Sequence, residues 1–135
     1  MQILLAEDNP ADVRLLREAF KESRLESRLS VVSDGVEALA FLRREGRYAS
    51  APPPDLLVLD LNMPKKDGRQ VLVEMKADPE LRAIPVMILS SSSLPEDQQT
   101  AAALGALRYV VKPQEFSEFV RLIHVIEDLC LAHRS

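Results

Sequence analysis

Four apolar residues, Leu56 to Leu59, run directly into Asp60, and the apolar pattern then breaks through Asn62, Met63 and Pro64. A carboxylate at the end of a buried strand either starts a turn or is a chemical group on a rigid support. Four more reactive groups stand in comparable places: Glu7 and Asp8 after the run 3–6, Ser90 at the end of 85–90, and Lys112 after 107–111. Three carboxylates brought together repel, so one of them takes up a proton or the set recruits a cation. Oxygen ligands with open positions suit Mg2+, which binds through one or two carboxylates and a phosphate oxygen. A lysine ammonium and a serine hydroxyl beside such an ion would neutralise and orient a phosphoryl group approaching the Asp60 oxygen. That chemistry makes Asp60 a candidate nucleophile forming an aspartyl phosphate.

Positioning these groups requires five strands. The segments 3–6, 29–33, 56–59, 85–90 and 107–111 carry short apolar runs, and amphipathic stretches alternate with them. Asn9 and Pro10 form a helix start, and Asp34 with Glu37 has the spacing of a capping box. Further helices are expected from about Asp67 to Ala77, from Pro95 to Leu104 with Gly105 closing it, and from near Glu115 almost to the C-terminus. Strict alternation predicts an α/β fold, a doubly wound five-stranded parallel sheet with helices on both faces. Ligands in such folds bind at the carboxyl ends of the strands, where strand order reverses. Glu7, Asp8, Asp60, Ser90 and Lys112 should therefore meet in one crevice.

With 135 residues the chain suits one domain, and its single cysteine, Cys130, fits a reducing, cytoplasmic setting. No stretch reaches membrane-spanning length. A net charge of -4 argues against nucleic acid as a direct partner. The proline-containing segment 46–54 reads as a surface spacer. The serine-rich stretch 89–98 lacks the glycines of a phosphate-cradling loop, and His124 and His133 have no second ligand at metal spacing.

"LLAEDNP", "LLVLDLNMPKKDG", "ILSSS" and "YVVKP", in this order, resemble the receiver domain of two-component response regulators. The resemblance spans nearly the whole chain and implies the (βα)5 flavodoxin-like receiver fold. It also implies that Glu7, Asp8 and Asp60 hold Mg2+ together with the backbone carbonyl of Asn62. Asp60 is then the phosphoacceptor, Lys112 the phosphoryl contact, Ser90 the switch hydroxyl and Tyr109 the switch aromatic. "EDNPAD", the long proline-containing loop and "DLNMPKKDG" are similar to single-domain regulators that partner phytochrome-type histidine kinases. By resemblance the Lys112 to Pro113 peptide is expected to be cis. Nothing follows the last helix, so no output domain is expected over 1–135, and output should pass through a downstream protein. Two other readings are a haloacid dehalogenase-like phosphohydrolase, for which Asn62 stands where a second acid is needed, and a non-phosphorylated interaction module.

On a helical projection the last helix carries apolar residues over roughly 200°, more than the roughly 100° that one contact needs. Leu122 and Leu129 lie at one edge of that arc, with Phe119 and Ile126 beside them. The reading is a homodimer through these four residues, formed between two copies of the helix.

Overall fold

The computed structural model describes residues 1–133, so the last two residues of the expected domain lie outside the described residues. Strands and helices alternate as β1 (Gln2–Ala6), α1 (Pro10–Phe20), β2 (Arg28–Val32), α2 (Gly35–Leu42), β3 (Leu56–Leu59), α3 (Gly68–Ala77), β4 (Val86–Ser90), α4 (Pro95–Ala103), β5 (Arg108–Val111) and α5 (Phe116–Ala132). All strand pairs are parallel and the order is β2-β1-β3-β4-β5. The order reverses between β1 and β3, which sets Glu7 and Asp60 at the switch point of the sheet.

Side-chain alternation along the strands splits the core in two. Leu4, Leu57, Leu59 and Ile88 face one layer with Leu39, Leu72 and Met75 of α2 and α3. Ile3, Leu5, Val58 and Met87 face the other, against Leu16 of α1 and Phe119, Ile123 and Ile126 of α5. Burial on both faces explains why β3 and β4 are apolar throughout rather than alternating.

Local signals set the helix starts. Asn9 caps α1 by accepting from the backbone of Ala11 and Asp12, with Pro10 at the first position. Asp34 caps α2 by accepting from Glu37 N, but the reciprocal half of the expected box is replaced by other contacts. The Glu37 carboxylate instead accepts from Arg47 and from the Tyr48 hydroxyl. The full capping box belongs to Asp67 and Gln70 at the start of α3. The segment 46–54 contains a short 3-10 turn, Gly46–Tyr48, whose tyrosine packs on Phe41 with ring centroids 5.2 Å apart.

The last helix does not leave the four residues expected at a dimer contact exposed. Phe119, Leu122, Ile126 and Leu129 are 1%, 4%, 0% and 9% exposed, all within the protomer's own core. The helix lies against both the sheet and α1, so its wide apolar arc serves two contacts inside one protomer. Its exposed edge is the opposite one, at Phe116 and Leu131. Glu127, the polar break in that arc, is also buried. Its carboxylate accepts from Ser23 Oγ at 3.0 Å, Arg24 N at 2.7 Å, Leu25 N at 3.0 Å and Arg24 Nε at 3.2 Å. Glu127 thereby pins the connection between α1 and β2.

Candidate functional site

The carboxylates gather as the strand ends require. Glu7 and Asp60 leave neighbouring parallel strands, in whose register Ala6 stands opposite Leu59. Glu7, Asp8 and Asp60 each place one oxygen so that all three lie within 4.8 Å of one another. Glu7 and Asp60 are buried and Asp8 is exposed, so the trio is walled by protein on two sides and reached from solvent on the third. The start of α3 presses on this edge. A Cβ at Gly68 would overlap the backbone carbonyl of Asp60 and stand 2.9 Å from Leu61 Cα, so only glycine permits this approach. Asn62 is exposed, and its backbone N–H lies 3.3 Å from Asp60 Oδ1.

Lys112 enters from the end of β5. Its Nζ lies 2.7 Å from Glu7 Oε1, 2.9 Å from Asp12 Oδ2 and 3.5 Å from Asp60 Oδ2. It does so through a trans peptide to Pro113, since no cis bond occurs among the described residues, and the cis expectation is not met. The trans form is the one most X-Pro bonds adopt, and the lysine reaches the carboxylates from it. Burial alone would lower the Lys112 pKa; the contacts with Glu7 and Asp12 and the charge of Asp60 outweigh it and hold the ammonium above the usual lysine range. For Glu7, burial raises the pKa to about 7, the charge of Asp60 adds to the rise, and the Lys112 contact only partly offsets it.

These contacts test the fit of a divalent cation. Glu7 Oε1 is buried with no hydrogen-bond donor. Its approach to Lys112 is close in distance and lacks hydrogen-bond alignment, so it counts as an ion pair. A buried carboxylate oxygen that Lys112 reaches as an ion pair without an aligned hydrogen bond, beside two more carboxylates, suits a hard cation that prefers oxygen.

Ser90 closes β4 and is fully buried, and its Oγ accepts from Ser92 N at 3.1 Å. Tyr109 packs against the core, and its hydroxyl donates to the Ser92 carbonyl at 2.8 Å rather than to water. Ser92 is thus a node between the hydroxyl and the aromatic. Its own Oγ donates to Asp97 on α4, which also takes Arg69 from α3 at 2.7 Å. These bonds from Ser92 and Arg69 hold the Asp97 carboxyl below the usual range.

All five residues predicted at the strand ends are found there; Glu7, Asp8 and Asp60 are in mutual reach, and Lys112 reaches Glu7 and Asp60. Sequence reasoning missed Asp12, Asp97 and Arg69. Asp12 had a usable signal: with Asn9 as cap it falls in the first turn of α1, whose side chains lean back toward the strand ends. Asp97 and Arg69 meet across 28 positions and carried no local signal.

Known proteins resemble this chain in sequence and fold. A family model described as the response regulator receiver domain matches residues 3–124. Response regulator Rcp1 of Synechocystis sp. is 40% identical over 129 residues, covering 96% of this chain and 88% of its own. Among solved structures, the phosphorylated cyanobacterial phytochrome response regulator RcpA superposes with a TM-score of 0.90 at 44% identity, covering 99% of this chain and 96% of its own. The Mn2+-bound form of Rcp1 gives a TM-score of 0.85 at 40% identity over 94% of this chain and 91% of its own. A family match over most of the chain, joined to a relative this similar along its length, places the protein in the response regulator receiver domain family of two-component signalling.

Proposed function

We propose that Asp60 accepts a phosphoryl group from a phosphohistidine of a sensor histidine kinase, in a reaction that needs Mg2+. One Asp60 oxygen attacks phosphorus, a P–O bond forms, the P–N bond breaks, and the leaving imidazole keeps the electron pair. The observation that carries this reading is the placement of the buried Asp60 carboxylate within the carboxylate trio and 3.5 Å from the Lys112 ammonium.

Glu7, Asp8, Asp60 and the carbonyl of Asn62 would hold Mg2+, which supplies positive charge to the transferring phosphoryl oxygens. Lys112 directs its ammonium at a second oxygen. Ser90 leaves its bond with Ser92 N and donates to a third, and Tyr109 follows through the shared Ser92 node. Ser90 and Tyr109 form a two-state element whose readout is a protein-binding surface around α4 and β5, taken by a downstream protein. We further assign the kinase to the phytochrome type, on the strength of likeness to RcpA, and the protein to the cytoplasm, the reducing setting that a chain with one cysteine fits. Catalysis of its own phosphorylation and dephosphorylation is its only chemistry. Asn62, where a phosphohydrolase would carry a second acid, is an amide whose backbone turns toward Asp60.

Incubation with Mg2+ and a small phosphodonor, followed by intact-mass measurement, tests the assignment. One added phosphoryl group is expected on the wild type and none on Asp60→Asn. A mass gain that persists in the variant overturns the acceptor.

A further inference from the structure

An ammonium has three N–H donors, and Lys112 has three carboxylates around it. Only one of the three contacts has hydrogen-bond geometry, the 2.9 Å bond to Asp12 Oδ2. Glu7 and Asp60 approach as ion pairs. Both of those also belong to the carboxylate trio, whereas Asp12 does not. Asp12 is held in its turn, because its backbone N–H donates to the Asn9 cap at 3.3 Å. The pair is largely shielded, with the Lys112 and Asp12 side chains 14% and 19% exposed.

We propose that Asp12 is a positioning residue for Lys112, anchoring its ammonium from the first turn of α1 so that two N–H donors stay directed into the cleft for a phosphoryl group. The inference rests on the phosphoacceptor reading of Asp60 and extends it by one residue. A lysine side chain has four flexible bonds, and fixing it only when the phosphoryl group arrives would cost rotamer entropy at that moment. The Asp12 bond removes that freedom beforehand, the preorganisation that electrostatic stabilisation requires. The opposite role, a competitor that draws Lys112 away from the phosphoryl oxygens, predicts the opposite sign.

Beryllofluoride, a phosphoryl mimic, separates the two when titrated calorimetrically in the presence of Mg2+. Asp12→Ala is expected to bind it about fivefold more weakly than the wild type, the size of a partly shielded ion pair. Mg2+ affinity, titrated separately without beryllofluoride, should be unchanged, and Asp12→Glu should recover most of the loss. If Asp12→Ala does not fold, Asp12→Asn replaces it, with weakening in the same direction. Unchanged or tighter beryllofluoride binding overturns the proposal, and so does a parallel loss of Mg2+ affinity, which would make Asp12 a residue of the fold. A wild type that binds no beryllofluoride overturns the phosphoacceptor reading and this inference with it.

Discussion

Replacing Glu127 with alanine removes a buried carboxylate that four donors share. Two of those donors are backbone N–H groups, of Arg24 and Leu25, and Leu25 N also reaches Ser23 Oγ at 3.3 Å, so part of its bonding survives the loss. Hydrogen bonds to a charged acceptor contribute about 1.5 to 3 kcal/mol each when fully buried. Here Arg24 is exposed, and water can take over part of each bond. Counting the two backbone donors and the serine at about 1 kcal/mol apiece gives a loss of about 3 kcal/mol. Unfolding entropy near the midpoint is about 2.1 cal/mol/K per residue, so for 135 residues the midpoint should fall by about 10 °C. Thermal unfolding followed by far-UV circular dichroism measures it. Hydrogen bonds hold the Glu127 carboxyl below its usual pKa despite the opposing effect of burial. Stability from a depressed carboxylate is complete above its unfolded pKa and is lost as pH falls through the folded one. The gap between wild type and Glu127→Gln should therefore narrow on acidification below the ordinary glutamate value of 4.5. A midpoint shift under about 3 °C for Glu127→Ala, near 1 kcal/mol, would refute the reasoning by showing that water satisfies the loop equally well.

Protons and a divalent cation compete for Glu7, whose pKa stands at about 7, so Mg2+ should bind more weakly at pH 6 than at pH 8. Titration calorimetry at the two values checks it, and Glu7→Gln should remove most of the pH dependence. Gly68→Ala places a methyl group on the Asp60 carbonyl. It should lower both the thermal midpoint and the Mg2+ affinity, while Gly105→Ala, strained by a φ of 99° though no atom stands in its way, should lower the midpoint and leave Mg2+ affinity intact.

The site was legible because each of its groups ends an apolar run, and a parallel sheet delivers all such ends to one edge. Boundaries were read well for the same reason: β3 is Leu56–Leu59 as the apolar run alone suggests. The misreadings at Glu37 and on the last helix share a different cause, competition between partners that sequence does not rank. Glu37 has the spacing of a capping box, yet Tyr48 and Arg47 from the next loop take its carboxylate. Leu122 and Leu129 read as surplus apolar surface because the helix was weighed against the sheet alone, and α1 takes that surplus. The charge at Glu127 interrupts the apolar arc of α5, and its meaning depends on backbone donors 102 and 103 residues away.

The Glu127 staple sits far from the strand tips that carry the chemistry, at the end of α5 beside the connection into β2. Other ties fasten the same margin of the sheet: the Met1 amino group to Glu26 O at 2.6 Å and Gln2 N to Asp55 Oδ2 at 2.7 Å. One margin is therefore a fixed footing and the opposite one a working end. Substitution in the loops of the working end can reshape the surface it presents, while the footing keeps the chain foldable throughout. Two histories of substitution, one conservative and one exploratory, can run in parallel along the same five strands.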